Sequence, residues 1–297
     1  MQRDNIKSYL QLHFIVFIWG FTAVLGELIS IREASLVWYR MLLASIFLFV
    51  FILWTKKSFL LPIKAITHLT LVGFLIAIHW IYFFKAINVS NVSVTLAMFS
   101  VGAFFASILE PIFYKRKMLW YEVFFGLIIV SGLFMIMKVE TKYLEGILYA
   151  LFSVFIGVLF TIFNGKLTQK YDSTIITLYE FFAGFLFVSV YLLIEGKFNV
   201  SFFKISVQDW LLILLLASIC TAYAFTASVK VMRKLSPYTV MLTTNLEPVY
   251  GIFLAYFIIG DDEKMSVPFY IVSAIILITV ILNGVVKHYQ RKKNQAE

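Results

Sequence analysis

The chain has 297 residues, 62% of them hydrophobic and 14% charged, with 32 Phe, a net charge of +9 and a mean hydropathy of +0.93. One globular core cannot hide that much apolar surface, so the composition argues for lipid as the solvent and against a soluble domain, a disordered chain or a basic nucleic-acid module. The one thiol, Cys220, argues against a disulfide scaffold.

A membrane span with its turn uses about 28 to 30 residues, so a chain of this length has room for about ten. Apolar runs bounded by charge, Pro or Gly tile the sequence in that number. Span one, 9–29, carries Trp19 at mid-depth and Glu27 near its outer end. It is too long for a secretory signal peptide and has no small-residue cleavage site. Span two, 35–54, carries Arg40, and span three, 66–87, carries His79, Trp80 and Tyr82 before Lys85 at its end. Span four, 92–114, holds Gly102, Ala103 and Ala106, which favour close helix packing, and ends at Glu110-Pro111. Span five is 121–137. Spans six, 146–166, and seven, 174–194, place Lys166 and Glu180 near the inner face. The longest loop, 195–209, alternates Phe with polar residues in the manner of an interfacial segment. Span eight, 210–229, precedes span nine, 237–259, which has Asn245, Glu247 and Pro248 at its centre, and span ten is 268–286.

Basic residues orient the spans. With the N-terminus in the cytoplasm, most of the 25 Lys and Arg fall inside: Arg3 and Lys7, Lys56, Lys57 and Lys64, the 115–117 cluster, Lys166 and Lys170, Lys230, Arg233 and Lys234, and the tail from Lys287 to Lys293. Fewer fall outside, among them Arg32, Lys138 and Lys197. This is the positive-inside pattern for an even number of spans with both termini cytoplasmic, and contact with anionic inner-leaflet lipid accounts for the net charge without a nucleic-acid partner. The reading is an all-α integral membrane protein, multi-pass in a bacterial cytoplasmic (inner) membrane.

The two halves, 1–145 and 146–297, show ordered similarity. Trp38-Tyr39-Arg40 matches Leu178-Tyr179-Glu180, and Tyr82-Phe83-Phe84-Lys85-Ala86 matches Tyr223-Ala224-Phe225-Thr226-Ala227. Five spans per half is an odd number, so the second copy enters the membrane from the opposite side. Ten helices as two inverted five-helix repeats is the architecture of secondary transporters, with the substrate near the midplane where the halves meet.

Trp19-Gly20-Phe21-Thr22, Arg40, His79-Trp80 with Phe83 to Ala86, and Asn245-Leu246-Glu247-Pro248-Val249-Tyr250-Gly251 resemble the EamA family of the drug/metabolite transporter superfamily, over both repeats. The resemblance implies a ten-helix fold around a central cavity and the movement of amino acids, other small metabolites or toxic compounds, commonly outward. After span nine the sequence has Gly260-Asp261-Asp262-Glu263 in place of the family's glycine-glutamate pair, and the matching place in the first repeat is basic.

Ionisable groups at bilayer depth cost about 2.5 to 3.5 kcal/mol each on insertion scales, which makes each a functional candidate. Glu247 lies near the midplane, and Pro248 after it has no amide proton, leaving the Thr244 carbonyl without its helical donor. The polar run of Thr243, Thr244, Asn245 and Glu247 would line a cavity or satisfy the break itself. Glu247 is expected to bind a cationic group of the substrate or a proton; the alternative is a protonated carboxyl bonded to a neighbouring helix. His79 with Trp80 and Tyr82 offers an imidazole among rings that accept cations on their faces, or a packed core histidine. Trp19, His79, Trp80, Tyr82, Asn245 and Glu247 are therefore the expected substrate-binding set, with Pro248 as the helix break. Glu27 with Arg40, and Lys166 with Glu180, are candidate outer and inner gates; static pairs, or Arg40 reaching lipid phosphate, are the alternative.

Other chemistry has no support in the motifs. There is no His-Glu-x-x-His or Gly-x-Ser-x-Gly run and no phosphate-cradling glycine loop, so no catalytic residue, metal or cofactor is expected. The expected activity is secondary transport, outward, of a small metabolite such as an amino acid, by alternating access and with a proton as candidate partner. A facilitative, channel-like permease is the alternative. The oligomeric state stays open, a monomer included.

Overall fold

The computed structural model describes residues 2–31, 33–115, 117–118 and 120–296. The sequence readings at Arg32 and Arg116, and those that concern the side chains of Arg3, Asp262 and residues 287–293, lie outside the described residues.

The described chain is helical throughout, without a strand. Its helices are α1 Gln2–Leu28, α2 Glu33–Thr55, α3 Ile63–Val89, α4 Val92–Phe99, α5 Gly102–Tyr114, α6 Trp120–Val139, α7 Leu144–Leu167, α8 Ser173–Ile194, α9 Val207–Leu215, α10 Ala224–Val231, α11 Pro237–Thr244, α12 Glu247–Ile258 and α13 Val267–Ala296. A π-helical stretch, Leu216–Tyr223, joins α9 to α10. Among the described residues seven helical segments are long and apolar enough to cross a membrane: Ile6–Leu28, Glu33–Thr55, Ile63–Val89, Val92–Tyr114, Thr141–Leu167, Ser173–Ile194 and Val207–Val231. Phe124–Val139 and Val267–Thr279 are shorter apolar helices, and α11 with α12 fills the place of span nine as two short pieces. Several starts are fixed by side-chain caps on the first free amides: Asn91 before α4, Asp172 before α8, Ser206 before α9 and Ser236 before α11.

Three spans depart from regular helix near the middle of the bundle. Span nine breaks at Asn245–Leu246, where the amides of those residues turn back to Leu242 and Thr243, three residues earlier, before α12 restarts with Glu247 and Pro248 in its first turn. Thr243 and Thr244 bond back to the carbonyls of Thr239 and Val240, so this polar run largely satisfies its own helix. Span four, read from sequence as one continuous helix, breaks at the corresponding place, Ser100–Val101, between α4 and α5. Span eight, also read as regular, loosens into the π-stretch, whose wider register carries Thr221 to the Leu216 carbonyl five residues back, at 2.7 Å.

The halves interlock. α3 packs most extensively on α7 and α8, and α2 on α8 and the π-stretch; α1 lies on α12 as α4 and α5 lie on α7; α6 pairs with α13. Each of these contacts has a counterpart with the halves exchanged. Where α3 crosses α8, a Cβ on Gly73 would collide with the Glu180 carbonyl oxygen. The largest cluster of buried apolar side chains lies between the halves, drawing on α1, α2 and α3 and on α8 to α12.

Two carboxylates tie the halves across the ends of the broken spans. On the side of the α4 N-terminus, Glu263 accepts from the amides of Val92 at 2.9 Å and Ser93 at 2.8 Å and from the Ser93 hydroxyl at 2.8 Å. On the other side, Glu110 of α5 accepts from the amide of Tyr238, in the first turn of α11, at 2.6 Å. Both are buried, and both put negative charge on the free amides of a helix start.

Candidate functional site

A cavity of about 90 Å³ lies where the halves meet. The first half contributes Trp19 and Thr22 from α1, Arg40 from α2, His79, Trp80 and Phe83 from α3, and Phe99 beside the break in span four. The second half contributes Val154, Gly157, Phe160, Thr161 and Asn164 from α7, residues of α10 such as Phe225 and Ser228, and Thr244 and Glu247 from the two sides of the break in span nine.

Arg40 is 2% exposed. Its Nε donates to Thr221 Oγ1 at 2.6 Å, and its guanidinium carbon lies 3.7 Å from the centre of the Trp80 ring. Thr221 Oγ1 gives its own proton to the Leu216 carbonyl, so towards Arg40 it can only accept. The π-stretch thus fixes the guanidinium edge, and it also presents the Cys220 carbonyl to Trp19 Nε1 at 3.2 Å. Arg40 Nη1 is buried with no acceptor among the described residues.

His79 sits against α7. Its Nδ1 is 2.7 Å from the Ser153 carbonyl and 3.0 Å from Ser153 Oγ, which donates to the His79 carbonyl at 2.8 Å. A carbonyl cannot donate, so Nδ1 carries a proton and donates it to the Ser153 carbonyl. Gly157 makes room for this approach, since a Cβ there would stand 3.1 Å from the imidazole Cε1. Glu247 is 7% exposed and lines the same cavity, and among the described residues its carboxylate has no hydrogen-bond partner. Glu180 lies behind the wall, fully buried, its Oε2 accepting from Asn164 Nδ2 at 3.3 Å while Oε1 has no donor among the described residues.

The cavity therefore gathers Trp19, His79, Trp80 and Glu247 and leaves two of their companions outside. Tyr82 does not line it; its ring packs on Tyr149 and Phe152, at 5.5 and 4.8 Å between centres. At about 100° per residue, His79, Phe83 and Trp80 cover one arc of α3 and Tyr82 falls about 60° beyond it. Asn245 also stands off the cavity, at the break, with neither amide atom partnered among the described residues. Of the candidate gates, Arg40 lines the cavity while Glu27 does not, and Lys166 donates to the Phe113 carbonyl at 2.8 Å while Glu180 bonds Asn164. Sequence reading missed Thr22, Thr221, Phe160, Asn164 and Phe225; only the match of Arg40 to Glu180 between the repeats hinted that both face inward. A cation, an acid and an imidazole among five or more rings suit an amphiphilic solute. No group of His, Cys, Asp and Glu that could hold a metal occurs among the described residues.

The family model described as the EamA-like transporter family matches residues 6–138 and again residues 144–285. A solved structure, titled only as a crystal structure of a protein, superposes with a TM-score of 0.72 at 12% identity, over 94% of this chain and 98% of that one, a likeness of fold alone. A comparison with curated proteins found no match.

Proposed function

The chain belongs to the EamA-like transporter family and is a multi-pass membrane transporter of the drug/metabolite type; from that premise we propose that it is a secondary carrier that moves small metabolites, amino acids among them, outward across a bacterial inner membrane. The observation that carries the reading is the cavity between the two matched regions, with helix breaks at Ser100–Val101 and Asn245–Leu246 in corresponding spans and three ionisable side chains on its wall. Broken helices in matching positions of two halves are the usual frame of a carrier's binding site.

In this account α4 with α5, the π-stretch with its flanking helices, and α11 with α12 each make one span, giving ten. The halves are 1–145 and 146–297, and both termini are cytoplasmic, a reading that the Lys and Arg distribution supports. Glu247 receives a cationic group of the solute or a proton. Trp19, His79 and Trp80 form the wall against which the solute packs, and a single chain suffices. The two faces open in turn. The Glu263 tie on the α4 start closes the outer face, the Glu110 tie on the α11 start closes the inner face, and one must part for each opening.

The test is reconstitution into liposomes with a panel of labelled amino acids, with and without a pH gradient, comparing Glu247→Gln with the parent. Saturable uptake that loses its pH dependence in the variant supports the reading. Normal uptake with unchanged pH dependence in the variant removes Glu247 from the site, and an unsaturable ion current selects a channel.

A further inference from the structure

We propose that Arg40 is the anchor for a carboxylate, and that with Glu247 in the same cavity it makes the carried solute a zwitterion with an apolar side chain. The proposal rests on the carrier reading above. It gives Arg40, a gate candidate by sequence, a place in recognition.

A guanidinium has five N–H donors, and a buried one held only for structure would spend them on protein acceptors. Among the described residues Arg40 spends one, Nε on Thr221, and its Nη1 is buried without an acceptor. A charge left underused at bilayer depth is costly and points to an acceptor that comes and goes. The geometry suits a planar anion. Stacking on Trp80 at 3.7 Å fixes the guanidinium plane, and the Thr221 bond fixes its rotation within that plane, leaving the rest of the fork to meet two oxygens.

Glu247 supplies the opposite charge on the same wall, and its carboxylate too lacks a hydrogen-bond partner among the described residues. A guanidinium and a carboxyl that line one cavity with no hydrogen bond between them match a solute that offers a group to each. Counted at about 1.5 Å per residue, Arg40 lies about 10 Å below the outer end of α2 and Glu247 about 15 Å from the inner end of α11, so both stand in the central part of the bilayer. The remaining wall, with Phe83, Phe99, Phe160 and Phe225, is apolar.

The test uses the purified full-length protein in detergent and three solutes of one shape: leucine, 3-methylbutylamine, which lacks the carboxylate, and 4-methylpentanoate, which lacks the amine. The wild type is expected to bind leucine about 10- to 100-fold more tightly than either, the difference a hydrogen bond to a charged group makes. Arg40→Gln should bring leucine down to the level of the amine, whose own binding should not weaken because a like charge has left the cavity, and Arg40→Lys should restore part of the gap. Because a buried arginine is a hazard to folding, Thr221→Val serves as a second variant: it keeps the charge and frees the Nε edge, and should weaken leucine and leave the amine unaltered. The proposal is overturned if the wild type binds the amine as tightly as leucine, if it binds none of the three, or if the leucine-to-amine ratio survives in both Arg40→Gln and Thr221→Val. None of these results touches the carrier reading, which fails only if no solute of a wider panel shows saturable counterflow.

Discussion

Replacing Glu263 by Gln should unlatch the outer face. The carboxylate uses both oxygens, Oε1 for the Val92 amide and Oε2 for the Ser93 amide and hydroxyl, at 2.8 to 2.9 Å. Glutamine keeps one acceptor and turns an NH2 towards donors. Hydrogen bonds to a charged group contribute about 1.5 to 3 kcal/mol and neutral ones about 0.5 to 1.5, so the tie weakens by about 2 to 4 kcal/mol, a shift of about 30- to 1,000-fold in the ratio of closed to open. Glu110→Gln should do the same on the inner face through the Tyr238 amide. The assay places a single cysteine at the cavity position Val154, in a Cys220→Ser background, and follows its reaction with a membrane-impermeant maleimide added to one side of sealed vesicles of known orientation. Glu263→Gln should speed labelling from outside and slow it from inside; Glu110→Gln should do the reverse. If both variants move labelling in the same direction, or neither moves it, the two ties are static braces and the gating account is wrong.

Particular contacts set three further expected outcomes. Glu247→Gln should lower uptake at least about tenfold and flatten its pH profile, because it removes the carboxylate on the cavity wall; initial rates between pH 6 and 8, about the physiological span of a proton gradient, check this. Gly73→Leu drives a side chain into the Glu180 carbonyl where α3 crosses α8 and should cost about 1 to 3 kcal/mol, read as a lower unfolding midpoint in detergent. Asp172 caps α8 and pairs with Lys57 at 2.9 Å. Burial pushes its carboxyl up, but the bonds from Lys57 and Thr174 outweigh this and hold it below 3.8. The stabilisation is therefore complete above pH 3.8 and is lost as pH falls through the lowered value. With side-chain exposures of 34% and 41% the ion pair is screened, so Asp172→Ala should cost only about 1 kcal/mol at pH 7, mostly from the cap. A deficit that persists undiminished below pH 3 (~0.8 under the reference value) would contradict the assignment.

Pro248 announces the break in span nine because its ring has no amide to give, and the offset between Arg40 and Glu180 announces the repeat. Other features leave no such mark. The break at Ser100–Val101 contains neither Pro nor Gly, with Gly102 beside it, and lies where α4 packs on α12 and α7 and α5 packs on α7, neighbours that only the fold supplies. The π-stretch over LASICTAY reads as ordinary helix, yet it aims Thr221 and the Cys220 carbonyl. Arg40 reads as a charge near the outer end of span two when that span is taken to begin at Ser35, two residues inside the start of α2 at Glu33. Its inward direction comes from Trp80 and Thr221, on helices that only the fold brings near. Tyr82 shows the converse: adjacency in sequence to His79 and Trp80 did not place it on their arc.

The central claim, that one cavity is exposed to each side in turn, is tested most directly by counterflow. Liposomes holding the reconstituted protein are loaded with unlabelled leucine and diluted into a trace of labelled leucine without any ion gradient. A carrier gives a transient accumulation of label above equilibrium that saturates with leucine and disappears in Arg40→Gln. If neither leucine nor any solute of a wider panel gives such an overshoot, and label only equilibrates at a rate linear in concentration, the behaviour is that of a pore and contradicts alternating access.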